Sequence, residues 1–255
     1  MGETTVASEN STPESQTVGA TSSSPDLVVL DEEDWANEVA QHLVDRLEIH
    51  PTARICLPTG QTPRPMYAAC APSLDVAKAT IFLLDEFGLP ASSPGRCDSM
   101  LQRDLLGKLE RPPRKYHRLH VDADLPDAEC ARFDTLVEDG GLDLTLLGIG
   151  GNGHLGLNEP GTEADSPTRT VDLAPSTVKS VRGYDAEAHA VGGMTLGLSR
   201  ILESNEIWLL VTGSRKAIIL EQMLTGPVGP DLPASFLGNH PNTIIYADRS
   251  AASLL

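Results

Sequence analysis

One amide, one imidazole and one carboxylate, Asn152, His154 and Glu159, fall within eight residues of the glycine-dense stretch LLGIGGNGHLGLNEPG (146–161). An imidazole held by an acid can take a proton from one oxygen and deliver it to another near neutral pH. A second candidate is the pair Asp85-Glu86, which directly follows the apolar run TIFLL at 80–84. Desolvation at a buried strand end destabilises a carboxylate and raises its proton affinity, which makes a candidate general base; the plain alternative is a helix-cap or turn acid. Two short turns share a third pattern, PTGQTP (58–63) and VTGSRKA (211–217), each running Thr-Gly, polar residues, then a helical stretch. Free backbone N–H groups and the positive end of a helix dipole meet in such turns. Gly60, Gln61 and Thr62 in the first and Lys216 in the second could grip one phosphate from two sides. Neither turn has the nucleotide-binding spacing G-x-x-x-x-G-K-[ST], and an ordinary strand-to-helix turn stays open as the alternative.

These groups need elements to carry them. Apolar runs at 27–30, 53–57, 80–84, 116–121, 142–149, 168–173, 206–211 and 243–246 read as strands. Helical spacing of apolar residues marks 34–47, 65–71, 96–109, 128–137, 194–202 and 217–224, with short helices at 233–237 and 249–254. The alternation predicts an α/β fold: a Rossmann-like, mostly parallel sheet with helices on both faces, a single domain with a flap. In such sheets ligands bind at the C-terminal ends of the strands, where the polar groups fall. The span 162–190 is polar and weakly periodic, carries Arg169, Lys179 and Arg182, and beyond the strand at 168–173 reads as the flap. Residues 1–25, rich in Ser, Thr and Glu, bury too little to offset ordering and are expected to be a disordered tail, leaving 26–255 as the domain.

A net charge of −17 argues against nucleic acid or an anionic membrane as partner, since both would be repelled. A small phosphorylated ligand stays compatible, because local cations and amide dipoles act within the Debye length of roughly 8 Å. The four cysteines, Cys56, Cys70, Cys97 and Cys130, lie far apart without zinc-site spacing, so they read as reduced thiols and no metal is expected. With no bilayer-spanning apolar stretch and no signal-peptide pattern, the expected location is cytoplasmic.

Taken in order, LPTGQTP, LLDEFGLP, LLGIGGNGHLGLNEPG, VTGSRKA, PASFLGNHPN and YADRSAA resemble the glucosamine-6-phosphate deaminase (isomerase) family, within the larger group that also holds 6-phosphogluconolactonases. The resemblance runs from about Asp31 to the end. Its specific part is GHxGxNEPG, because the lactonase branch differs after the GH. It implies a hydrolase/isomerase that couples aldose–ketose isomerisation of glucosamine 6-phosphate to loss of ammonia, giving fructose 6-phosphate, with no metal or nicotinamide cofactor. By the same resemblance Asp85 moves the C2 proton, and His154 assists ring opening with Glu159 and Asn152 orienting it. Gly60, Gln61, Thr62 and Lys216 match phosphate-holding positions, and Arg182 is the approximate counterpart of a phosphate-binding flap arginine. The implied partner is a small sugar phosphate, and a homo-oligomer is compatible with it. Hydrolysis of a 6-phosphogluconolactone is the alternative reaction, and a non-catalytic sugar-phosphate sensor is a third reading. Three departures stand out. Many members carry Asp where this chain has Asn152, so Glu159 would have to stabilise a charged imidazole alone. DEFGLP is one residue shorter than the commoner DEYVGLP, and alignment across 176–190 needs a gap.

Overall fold

Strand runs and helical runs alternate along the chain as their apolar spacing requires. β1 (Asp26–Leu30) leads to α1 (Trp35–Ile49), β2 (Arg54–Leu57) to α2 (Pro63–Cys70), and β3 (Thr80–Leu83) to the short β4 (Asp85–Phe87). There follow α3 (Cys97–Asp104), β5 (Lys115–His117), α4 (Pro126–Glu138), β6 (Leu144–Gly148), β7 (Arg169–Asp172) and α5 (Pro175–Val181). β8 (Gly192–Thr195), α6 (Leu198–Leu202), β9 (Ile207–Val211), α7 (Ala217–Thr225) and β10 (Thr243–Asp248) complete the order. The computed structural model describes residues 1, 24–186 and 189–255, so the tail expected over 1–25 falls almost wholly outside the described residues.

Seven strands form one parallel sheet in the order β1-β10-β9-β6-β2-β3-β5. The two-residue period of a strand sends alternate side chains to opposite faces. Ile55, Leu57, Ile81, Leu83, Leu144 and Leu146 join a core with α1, α2 and α3. Their neighbours Cys56, Phe82, Leu147, Leu209 and Ile245 join a second core with α4, α6 and α7. Both faces are covered, which is why every residue of the interior strand β9, IWLLV, is apolar and buried. Each such Leu or Ile contributes about 1.5–3 kcal/mol by leaving water.

The order of strands places the chemistry. From β2 the chain steps outward to β3 and β5, then returns to β6 on the other side of β2 and steps away to β9 and β10. Connections leaving β2 and β6 therefore diverge, and the crevice between them at the strands' C-terminal ends is where an open α/β sheet takes a ligand. The 58–62 loop leaves β2 and the 149–154 loop leaves β6.

A second sheet, β4-β8-β7, is antiparallel, with Asp85 and Arg169 both registered on Thr195. Here the structure corrects the helix expected over 194–202: its first part is β8, and only Leu198–Leu202 is helical. Met194, Leu198 and Ile201 are each buried, so their spacing imitates one helix face across two elements. The Gly192-Gly193 pair is what the strand needs, because a Cβ on Gly193 would collide with the Glu86 carbonyl. The helix expected over 249–254 is a run of turns, in which the Asp248 carboxylate accepts the Ala251 N–H at 2.7 Å. The period over 96–109 splits where Leu105 leaves helical geometry at φ −136°, giving α3 and a single tight turn at Leu106–Lys108. All four cysteines are free and buried. Among the described residues no helix is long and apolar enough to cross a membrane.

Candidate active site

At the end of β3 the chain passes from one sheet to the other, and alternation along β4 separates the two adjacent acids. Glu86 turns to a fully buried place where its carboxylate accepts the N–H groups of Phe87 (2.9 Å), Cys97 (2.7 Å) and Asp98 (3.1 Å). Arg96 Nε lies 3.5 Å from it. It caps the start of α3 and ties that helix to β4, so the plain alternative of a cap acid holds for Glu86. Asp85 has the other fate. It is buried at 8% exposure, and desolvation raises its carboxyl from 3.8 to about 6 against the opposing effects of a Cys97 hydrogen bond and the nearby His154.

Past β6 the loop closes on itself, with Gly150 N–H donating to the His154 carbonyl at 3.0 Å and Gly153 N–H to the Gly150 carbonyl at 3.1 Å. The imidazole of His154 packs on Gly150, where any Cβ would strike the ring. Glu159 is the hub of the loop. Its Oε2 lies 3.3 Å from His154 Nδ1 and accepts Asn152 Nδ2 at 2.7 Å, while its Oε1 accepts the Thr177 hydroxyl at 2.5 Å. Burial alone would raise this carboxyl, yet the hydrogen bonds from His154, Thr177 and Asn152 outweigh burial and bring it to about 2. Glu159 is thus an ion throughout the physiological range, and the ring nitrogen it does not engage is left for a substrate. Asn152 acts less directly than a partner of the imidazole would: its amide oxygen accepts the His154 backbone N–H at 3.3 Å and its amide nitrogen serves Glu159. Thr177, on α5, was not singled out in the sequence, because a threonine within a long polar span carries no signal of its own.

The neighbouring loop carries the anion cradle. Gly60 adopts φ +103°, a left-handed conformation that favours glycine, and Thr62 directly precedes α2, which has Pro63 at its first turn. Gly60, Gln61 and Thr62 therefore sit at the positive end of the α2 dipole. Lys216, from the turn after β9, donates through Nζ to the Ile149 carbonyl at 2.7 Å, which brings its ammonium to the β6 loop. Burial and the adjacent Arg215 lower its pKa. That turn is pinned by Gly213, whose N–H donates to the Asp248 carboxylate at 2.8 Å. Arg182 is exposed at the C-terminal end of α5. The flap residue found against the cradle is Tyr184, with its hydroxyl beside Gly60. Asp85, His154, Glu159 and Asn152 thus gather at one end of the sheet, flanked by the 60–62 loop and Lys216. Among the described residues no group of three or more His, Cys, Asp or Glu side chains is placed to hold a metal.

Known proteins resemble this chain along most of its length. The family described as glucosamine-6-phosphate isomerases/6-phosphogluconolactonase matches residues 31–245. A glucosamine-6-phosphate deaminase of Rhodopirellula baltica is 37% identical over 237 residues, covering 89% of this chain and 94% of that protein. One of Streptomyces coelicolor is 36% identical over 239 residues, covering 90% and 92%. The solved structure of a monomeric glucosamine-6-phosphate deaminase superposes with a TM-score of 0.86 at 31% identity, over 90% of this chain and 100% of that one. A 6-phosphogluconolactonase from Thermotoga maritima superposes with a TM-score of 0.73 at 19% identity, over 88% and 99%, which shows a shared fold and nothing further. With the match running through nearly all the strands and every candidate site loop, the chain belongs to the glucosamine-6-phosphate isomerase/6-phosphogluconolactonase family.

Proposed function

We propose that this protein is a glucosamine-6-phosphate deaminase, converting glucosamine 6-phosphate and water to fructose 6-phosphate and ammonia. The observation that carries this reading is the buried Asp85 carboxyl, raised to about 6, beside a His154–Glu159 pair. Removing a proton from carbon needs a carboxylate of heightened basicity held out of water, whereas lactone hydrolysis needs only an activated water. The names of the relatives at 36–37% identity support the same side.

The steps follow from the residues present. His154 takes the O1 proton of the pyranose and delivers it to O5 as the C1–O5 bond breaks, leaving an aldehyde. Glu159 holds Nδ1 throughout, so the ring keeps one orientation and any positive charge on it is balanced. Asp85 then removes the hydrogen on C2. The electrons of that bond form a C1–C2 double bond while O1 gains a proton from solvent, giving an enolamine. Asp85 returns its proton to C1, which leaves an iminium at C2; water adds there and ammonia departs. One water is consumed per ammonia, so hydrolysis describes the balance and proton transfer describes the site's work. Gly60, Gln61, Thr62 and Lys216 hold the phosphate, with Arg182 reaching it from the flap, and Asn152 keeps Glu159 ionised.

The test is a pair of coupled assays on the purified chain. Ammonia release from glucosamine 6-phosphate is the expected result. Acid production from 6-phosphogluconolactone without ammonia release would replace this reading with the lactonase one, and sugar-phosphate binding without turnover of either compound would replace it with that of a sensor.

A further inference from the structure

Tyr184 follows α5 and sets its ring on the cradle. Its hydroxyl lies 3.0 Å from where a Cβ of Gly60 would be, and its Cζ 3.9 Å, an approach that the missing side chain of Gly60 leaves open. The phenolic oxygen thus lies over the Gly60-Gln61 backbone at the start of the cradle. The ring is half buried against the core, and its neighbour Asp185 accepts the Ser93 hydroxyl at 2.6 Å, which fixes this end of the flap to the loop after β4. Arg64 lies close by, donating to the Gln61 side chain at 3.3 Å. An oxygen set over the backbone of a helix start, with a guanidinium nearby, has the surroundings a phosphate oxygen would have.

We propose that the Tyr184 hydroxyl is a built-in occupant of the phosphate subsite, filling the place over Gly60 that a phosphate oxygen of the substrate requires. This rests on the reading of the 60–62 loop as the phosphate cradle. A dianionic phosphate forms charge-assisted bonds that a phenol cannot match, so it displaces the tyrosine. It does so at the cost of a contact already made, and the same contact re-forms as the product phosphate leaves. Tyr184 therefore sets how tightly phosphate is held, in the direction of weaker binding and faster release.

The experiment is a calorimetric titration of the full chain with inorganic phosphate, in the wild type and in Tyr184→Phe, which keeps the ring and drops the oxygen. Phosphate should bind the variant about two- to tenfold more tightly, the equivalent of one neutral hydrogen bond. Tyr184→Leu should tighten it in the same direction. In the wild type, phosphate should also perturb the near-ultraviolet tyrosine absorption, and that difference signal should vanish in Tyr184→Phe. Unchanged or weaker phosphate binding in the variants, no phosphate binding to either protein, or no tyrosine signal in the wild type would each overturn the inference. Because the titration needs no turnover, its result is separable from the reaction: tighter phosphate binding without ammonia release leaves the tyrosine inference standing and removes the deaminase reading, and the converse removes only the inference.

Discussion

Replacing Asp85 by Asn should abolish the reaction and, as pH rises, make the folded protein gain on the wild type. The carboxyl goes from 3.8 to about 6 on folding, chiefly through desolvation. At about 1.36 kcal/mol per unit, ionising it in the folded state costs about 3 kcal/mol. The folded-state pKa is the higher one, so the folded protein holds this proton more tightly than the unfolded chain does. The associated stability is full below the unfolded value, falls as pH rises between the two, and is lost above about 6. An asparagine cannot ionise and does not follow that decline. Its buried amide N–H groups lack the partners of a carboxylate, which sets a constant penalty of about 1–3 kcal/mol at every pH. The change with pH is therefore the informative quantity. Between pH 4 and pH 8 the difference in stability should move by about 2.5 kcal/mol in the variant's favour, on the order of 5–10 °C in melting temperature for a chain of this size. Scanning calorimetry across that range measures it. In parallel, exchange of the C2 hydrogen of glucosamine 6-phosphate in deuterated water should disappear, and the wild-type kcat/KM should decline as pH falls through about 6. A melting difference that stays flat from pH 4 to 8 would refute the burial argument, and undiminished C2 exchange would remove Asp85 as the base.

Two further substitutions probe the His154 loop. Gly150→Ala places a methyl against the imidazole, so the ring must turn and kcat should fall about a hundredfold, as for a displacement of roughly 1 Å in a catalytic group, with KM little changed; a kcat within twofold of wild type in a steady-state assay would contradict the packing. Asn152→Asp replaces a 2.7 Å donor to Glu159 with a second carboxylate. Since Glu159 is depressed to about 2, its stabilising contribution is present above the unfolded value of 4.5 and is lost as pH falls through 2. The variant should lose about 1–3 kcal/mol at neutral pH, with the deficit shrinking toward pH 3, and urea unfolding at both pH values reads the difference.

What was legible in the sequence was what one stretch of chain could settle alone. Asn152, His154 and Glu159 share one loop, so their spacing already confined them to one site, and β6 before them could only be a buried strand. The order of strand and helix runs was enough for a parallel sheet, because β2, β3, β6 and β9 are apolar on both faces. Less visible was the second sheet. Nothing in GGMT announces a strand by propensity, and its role emerges only when Gly193 is seen to lie against the Glu86 carbonyl. By residue pattern alone Asp85 and Glu86 were likewise indistinguishable as neighbours, and only the family resemblance singled out Asp85. Deciding between them took the register of β4 and the position of α3, whose first amides consume one of the two carboxylates. Thr177 and Tyr184 depend on how the flap folds back, a contact between distant parts of the chain that no local pattern encodes.

Asn152 shows why a departure from a family's usual residue is hard to interpret until its partner is known. Read beside His154, an amide in place of a carboxylate is a loss, since it cannot balance an imidazolium. In the fold the side chain faces Glu159 instead, and the argument reverses. A carboxylate at 2.7 Å from Glu159 Oε2 would force the pair to share a proton or separate, raising the pKa of the acid that His154 depends on. The amide donates there, and with Thr177 and His154 it keeps Glu159 ionised down to a pH of about 2. The charge needed to hold an imidazolium is thus concentrated on one residue and protected by its neighbour. On the proposed mechanism Asn152 serves ring opening by securing Glu159, so its replacement should be felt first in the titration of that carboxylate and only through it at His154.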